Sequence, residues 1–539
     1  MKIDLKRDTN QALGLGQFAV DFIVNGEGKP SDAVLNRTRQ FFVDATVCGI
    51  SALAHKTSAP LTLQKQALQY PMGKGGATLL GSILTHHPRY VAMAVASAVR
   101  EWDSNGTNFG YNPELDRMAG EFGHNDYYGF VVAACQKMGH AGATALLAMV
   151  CLDEIRGRLA ESFSLKDCKI DHVLHGAIAT AAVWGALCGA TPEQIECAIG
   201  MTVAHATPWR AIRAGKQLSD SKGASAAISA GMAVEFMELC MLNAGPHEGF
   251  VGPRDIFRNP EAPFRLFEGP GQMFAKVGSD PAQADTEKRY ESPFDLTLTM
   301  AGDDFAVMGM HFKLGLYEHQ SAGAIQAVTE MLAAHPELIA DPEAIAAVLI
   351  RAYEPAFGII GNPEKMDPKT RQSADHSMAY IVASVILKAQ QCAADGRPIT
   401  WANLMLLPED YSYEALQDPA RRAIMAKIMF EHGGPEYDAK YPEGIPTSVV
   451  ITGGDQQKHD SGLVMFPIGH ARNPEEGERD DLLEDKWAKL LLPVFEHDAV
   501  VRRTIEMLMG IGAFSAAELL GIYNFQIRLL PPIDLPQRA

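Results

Sequence analysis

Between residues 31 and 255 the chain repeats one pattern: apolar side chains three and four residues apart, interspersed with alanine and glycine, with few alternating segments. Over that length the pattern confines the fold to packed helices, because a period near 3.6 gathers apolar side chains on one helix face. Ser31 is placed to cap a helix in which Leu35, Thr38, Phe42, Ala45 and Gly49 share a face. Val91, Val95 and Trp102 mark a second helix, stopped by the turn Ser104-Asn105-Gly106, and Ala145 to Ile155 form a third. Thr191-Pro192-Glu193-Gln194 is a capping box with proline at the first helical position, opening a helix whose apolar face is Ile195, Ala198, Ile199, Thr202 and Val203.

The pattern breaks from 256 to 303, where proline, glycine and charge accumulate; this reads as loops and a domain crossing. Beyond it the chain is mixed. Ala347 to Tyr353 alternates like a strand, and Thr447 to Thr452 and Ser461 to Pro467 read as two strands around the turn Gly453-Gly454-Asp455. Met378, Ile381, Val382, Val385 and Ile386 form a helical stripe with Asp375 and His376 at its start. After a charged loop, ARNPEEGERDD, helix resumes from Lys486, and this tail is expected to dock back on the first helices. The whole predicts a mainly α fold with a smaller α+β module.

A formal net charge of -18 over 539 residues argues against a nucleic-acid or anionic-membrane partner. It also repels anionic substrates at long range, so a carboxylate ligand would require a local basic cluster. The cysteines, Cys48, Cys135, Cys151, Cys168, Cys188, Cys197, Cys240 and Cys392, form no Cys-x-x-Cys pair. They read as buried free thiols in a reducing compartment, without the clustering an iron–sulfur centre needs. The N-terminus MKIDLKRDTNQALGLG lacks the features of a targeting segment, and a cytoplasmic location is expected. PMGKGGAT misses the phosphate-loop spacing, His86-His87 has no zinc partner at the required spacing, and no G-x-G-x-x-G follows a strand. No metal and no cofactor are therefore expected.

Five segments carry the chemistry. VREWDSNGTNF brings Asp103 and Thr107 to a glycine turn, although ordinary helix-stop residues would look the same. EFGHNDYYG holds His124 between glycines, a general acid/base type near neutral pH. HATPWRAIRAGKQLSDSKGASA holds Arg210, Arg213, Lys216 and Lys222 against one acid, Asp220. Arginine grips carboxylates through its planar fork, and lysine acts as a point charge or a proton donor. HFKLGLYEHQSAG supplies Lys313, Glu318 and His319; MDPKTRQSADHSMAYIVA supplies His376, at a helix start that favours the neutral imidazole, with Arg371 close by.

These segments in this order, with FVDATVCGISAL, IDHVLHGAIATAA and FPIGHARNP, resemble the MmgE/PrpD family over roughly residues 40 to 490. The resemblance implies a large helical domain built from both chain ends (residues 1–290 completed by 485–539), an α+β lid (300–484), and a homodimer. It implies metal-independent chemistry beside a carboxylate: 2-methylcitrate dehydration first, with cis-aconitate-type decarboxylation or iminodisuccinate-type epimerisation as alternatives. Asp103, Thr107, His124 and Lys222 match the family's active-site positions, with Lys313 and His319 as further matches. The chain departs from the family in a longer stretch between Thr107 and His124, and in Asn-Asp-Tyr-Tyr after His124. The expected mechanism is acid/base elimination. Arg210, Arg213 and Lys222 anchor carboxylates, His124 or Lys222 moves the proton, Asp103 orients its partner, and Lys313 or His319 protonates the leaving hydroxyl, with His376 as a further substrate contact. A carboxylate-binding protein without turnover is the non-enzymatic alternative.

Overall fold

Helix follows helix through the first half of the chain, as the periodicity requires: α1 (Gln11–Ala19), α2 (Asp32–Ala54), α3 (Ser58–Ala67), α4 (Pro88–Arg100), α5 (Tyr128–Met138), α6 (Gly142–Ser162), α7 (Val173–Cys188), α8 (Pro192–His205) and α9 (Asp220–Met241). The structure, a computed structural model, describes residues 1–115, 123–213, 217–259, 262, 291–361 and 365–535. Most of the proline-rich crossing and Lys216 thus lie outside the described residues, as does part of the stretch between Thr107 and His124. The caps are those the sequence specifies. Ser31 Oγ accepts from the Val34 amide, and the reciprocal Thr191–Gln194 box is formed. By length and composition α9 is apolar enough to cross a membrane, but it packs among α4, α7 and α8 with two thirds of its most apolar window buried. Gly223 in its first turn lets it approach α4 closely, since a Cβ there would stand 2.8 Å from Glu101 Oε2.

The sheets are small and lie mostly in the second half. At the start of the chain, β1 (Lys2–Leu5) pairs antiparallel with a segment far downstream, Leu296–Thr299. Two-residue strands β2 (Thr107–Asn108) and β3 (Gly123–His124) form a ladder against α6 and α7, and the downstream partner of β1 becomes β4. Among the described residues the largest sheet has four strands, β5 (Ile345–Ala352), β6 (Ile428–His432), β7 (Thr447–Gly453) and β8 (Lys458–Asp460), in the spatial order β6-β5-β7-β8, with only the β6–β5 pair parallel. Helix α10 (Ala322–Ala334) packs on β7 and against α11 (Met378–Ala394).

The chain then returns to the helical layer. Helix α12 (Glu476–Phe495) packs along α2, followed by α13 (Asp498–Met509). The buried Lys486 ammonium donates to Asp44 Oδ1 and to the carbonyls of Ser104 and Lys313, each at 2.7 Å, so all three of its protons are bonded. Trp487 Nε1 adds a fourth contact to the same Asp44 oxygen at 2.9 Å. This node ties α2, the turn after α4 and the loop carrying Lys313 together.

Two sequence expectations are corrected. Helix resumes at Glu476 rather than Lys486, because the acids Glu476 and Glu478 lie in the first turn, where the positive end of the helix dipole favours them. The charge that suggested a loop is the helix start. The second strand of the hairpin is Lys458–Asp460 rather than Ser461–Pro467. The reversal is tighter than expected: Gly453 N donates to Gln457 O, Gln456 adopts φ +68°, and pairing resumes at once. Of 461–467, Val464 makes a β-bridge to Thr447, while Ser461 and Met465 add single backbone hydrogen bonds to Val449 and Ile445. All eight cysteines are free, and all but Cys188 are buried.

Candidate active site

Helix α4 ends at Arg100, and the chain turns through Asp103 in the left-handed region, φ +50°. A non-glycine residue there costs about 1–3 kcal/mol and persists only where its surroundings fix it. Here they do. Lys313 Nζ donates to Asp103 Oδ1 and to its carbonyl, both at 2.8 Å, and the Arg100 guanidinium donates to the same carboxylate. Gly106 follows where a Cβ would meet the Phe41 ring at 2.5 Å. The chain then enters β2, which sets Thr107 opposite His124 in β3. Two distant sequence motifs thus become neighbours through a two-residue ladder.

Around Asp103 four further groups converge. His376 Nε2 lies 3.2 Å from Asp103 Oδ2, and His376 Nδ1 lies 2.6 Å from Asp375 Oδ1. Lys222 Nζ sits 3.6 Å from Asp103 Oδ2, 3.5 Å from Asp375 Oδ1 and 3.3 Å from His376 Nδ1. His124 Nδ1 is 3.9 Å from Asp103 Oδ1. Arg371 holds Asp375 from behind at 3.1 Å and pairs with Glu101, stacked over Trp102. One donor atom from each of Asp103, Asp375 and His376 lies within 4.8 Å of the others, a spacing a cation could bridge. The Lys222 ammonium, however, already stands among those atoms and supplies the positive charge itself.

His124, Arg210, Arg213, Lys222 and His376, all expected from the sequence, line one cleft. Asp103 lies behind them, and Thr107 is buried beside His124 with its hydroxyl unbonded. Arg213 is not a free anchor: its Nε is 2.5 Å and its Nη2 3.2 Å from the Asp171 carboxylate.

Lys313 and His319 depart from expectation as cleft-facing acids. Neither lines the cleft; both are fully buried. Lys313 is spent on Asp103. His319 stacks with His311 at 5.2 Å and packs on Phe109, and neither ring nitrogen has a hydrogen-bond partner. Its neighbour Glu318 faces the cleft instead, with Gln320, Ile359 and Lys365. The short 3-10 turn His319–Ser321 sends adjacent side chains to opposite sides, which sequence order alone does not convey.

Sequence reading also passed over His172, Arg100, Asp171 and Lys486. The signal for the first and third was present, since Asp171-His172 opens IDHVLHG; their use depends on Arg213, 42 residues away.

Burial sets the proton states. It holds His124 well below its ordinary value, helped by the charges of Arg100 and Lys313. Burial and the Lys222 ammonium do the same to His376, against the pull of Asp375. Lys222 is itself depressed by burial, and by Arg100, Arg213 and Arg371, although Asp375 opposes this. Burial pushes Lys313 down to about 7, with Arg100 adding to the effect. It raises the Glu318 carboxyl, and the attraction of Lys313 only partly offsets this. Burial would also raise Asp375, but Lys222, His376 and Arg371 overcome it and hold the carboxylate ionised. The cleft therefore combines neutral imidazoles, a carboxyl whose proton affinity burial raises, a lysine whose charge burial disfavours, and the Arg213 guanidinium.

Residues 20–273 match the MmgE/PrpD N-terminal domain and residues 317–509 the MmgE/PrpD C-terminal domain. Among curated proteins the chain is similar to 2-methylcitrate dehydratase of Escherichia coli (strain K12), 24% identical over 479 residues, covering 85% of this chain and 86% of that protein. The probable 2-methylcitrate dehydratase of Saccharomyces cerevisiae is 23% identical over 476 residues, covering 83% and 80%. 2-Methylcitrate dehydratase of Cupriavidus necator is 22% identical over 474 residues, covering 85% and 86%.

Proposed function

The chain belongs to the MmgE/PrpD family, and from that premise we propose that it is a hydro-lyase of the 2-methylcitrate dehydratase type, removing water from a small tricarboxylate by acid/base elimination. The observation that carries the reading is the cleft itself: Arg210, Arg213, Lys222 and Lys365 surround His124 and His376, with Glu318 opposite. Arg210 and Lys222 would hold carboxylates within a chain of net charge -18, while Arg213, paired with Asp171, adds positive field at the cleft wall.

In this mechanism the neutral His124 imidazole takes the proton next to a substrate carboxylate, and Asp103, 3.9 Å away, stabilises the imidazolium. Lys222 faces the enolate-like charge. The carbon–hydroxyl bond breaks as the double bond forms, and the Glu318 carboxyl gives its proton to the departing hydroxyl, which leaves as water. Glu318 replaces Lys313 and His319 in that role because it borders the cleft and they do not.

The unit from 300 to 475 acts as a lid over the helical domain, residues 1–290 with 476–539, because α12 packs along α2 from Glu476 onward. In support, Glu318, Gln320 and His376 come from one side of the cleft and His124, Arg213 and Lys222 from the other. A homodimer is supported by exposed Ile228 and Met232, one turn apart on α9, and a cytoplasmic setting by the free thiols.

Incubation of purified protein with 2-methylcitrate, citrate, cis-aconitate and iminodisuccinate, followed by proton NMR, tests the reading. Loss of the hydroxyl-bearing substrate with appearance of a vinylic or allylic product is expected. Decarboxylation or epimerisation alone would assign the scaffold to those reactions, and line broadening without turnover would make it a carboxylate-binding protein.

A further inference from the structure

At the free edge of the four-stranded sheet, three side chains from two distant parts of the chain converge. His335 ends α10, and Glu337 lies two residues on, in the short 3-10 turn Pro336–Ile339. His459 is the central, inward-facing residue of edge strand β8, between exposed Lys458 and Asp460. His335 Nδ1 lies 3.1 Å from Glu337 Oε1. The two imidazole centroids are 4.0 Å apart with their planes inclined by 53°. One donor atom from each of the three residues lies within 4.8 Å of the others.

We propose that His335, Glu337 and His459 form a binding site for a borderline divalent transition-metal ion such as zinc(II), separate from the cleft. Two imidazole nitrogens and one carboxylate suit zinc, cobalt or nickel, whereas magnesium and calcium favour all-oxygen shells. Donors about 2.1 Å from a tetrahedral ion stand roughly 3.4 Å apart. The His335–Glu337 spacing of 3.1 Å is already close to that, and small side-chain rotations bring His459 in. Among the described residues no lysine or arginine pairs with these three side chains, in contrast to Lys222 in the cleft, and Lys458 lies on the other face of its strand. Three protein ligands leave a position for water. The bound ion would clip the β7–β8 hairpin to the end of α10.

The test uses the full-length protein after chelator dialysis, titrated with zinc(II) by calorimetry and with cobalt(II) by visible absorption, near neutral pH. One equivalent of zinc and tetrahedral cobalt bands are expected. Both should vanish in His335→Ala/His459→Ala and persist in His376→Ala. Glu337 is exposed, so Glu337→Gln keeps the fold; it should weaken binding by at least roughly tenfold, the cost of losing even a hydrogen-bond partner of a ligand. Unchanged binding in the double variant, loss in His376→Ala, or no inner-sphere cobalt spectrum at all would overturn the proposal and leave a protonated imidazole–carboxylate pair.

Discussion

Two groups of histidines lie within the same interior and behave differently. His124, His172 and His376 border the cleft, with Asp103, Asp171 and Asp375 beside them. His311, His319 and His470 stack on one another and on Phe109 and Phe466. Burial lowers the proton affinity of both groups, so a neutral imidazole is not what distinguishes a candidate base. Access and a carboxylate to receive the charge do. A ring wedged among rings has nowhere to put a proton it accepts.

The largest expected effect acts on both groups at once. Because the folded values of His124, His172, His311, His319 and His376 lie below that of the unfolded chain, stability is fully present above about pH 6.5 and is lost as pH falls toward the folded values. Each histidine contributes up to about 1.4 kcal/mol per pH unit over that window. The urea midpoint should therefore drop steeply from neutral pH to mildly acid pH; a flat profile would mean the histidines are charged in the fold and the likeness between the groups is false.

Next is Lys313→Met, which leaves Asp103 without its nearest ammonium. Breaking a buried pair costs about 3–5 kcal/mol, to be read from urea unfolding. A loss below about 1 kcal/mol, the range of an exposed pair, would show that Arg100 and Lys222 suffice.

Lys222→Ala and His124→Asn sharpen the contrast on the catalytic side. Each should lower kcat on a confirmed substrate on the order of a hundredfold or more with native circular dichroism, whereas His319→Phe should change kcat less than about threefold. Equal losses at His124 and His319 would erase the distinction between the groups.

The smallest effect is expected at Arg210, half-exposed at the cleft margin. Arg210→Ala should raise KM at least as much as it lowers kcat, by roughly tenfold, as for an anchor that grips ground and transition states alike. A fall in kcat at constant KM would move Arg210 into the chemistry.

The helical layer was legible in the sequence because its causes are local. Capping at Ser31 and Thr191, the turn at Ser104-Asn105-Gly106 and the apolar faces of α2 and α8 each depend on residues within one or two turns. The candidate residues Asp103, His124, Arg210, Arg213, Lys222 and His376 were legible as a set, through motif order and through a basic cluster in an acidic chain. Their roles were not. Arg213 looked like a free anchor until Asp171 stood beside it, and Lys313 and His319 looked like acids until both proved buried away from the cleft.

By itself the sequence determined a mainly α architecture, the family and the identity of most groups around the cleft. Only the tertiary structure decided that Glu318 rather than its neighbour faces the cleft, that Lys486 ties three distant segments into one node, and that His335 and His459, 124 residues apart, meet at a sheet edge. Helix propensity and capping act over a few residues, whereas burial, proton affinity and ligand geometry depend on groups that become neighbours only when the chain has packed.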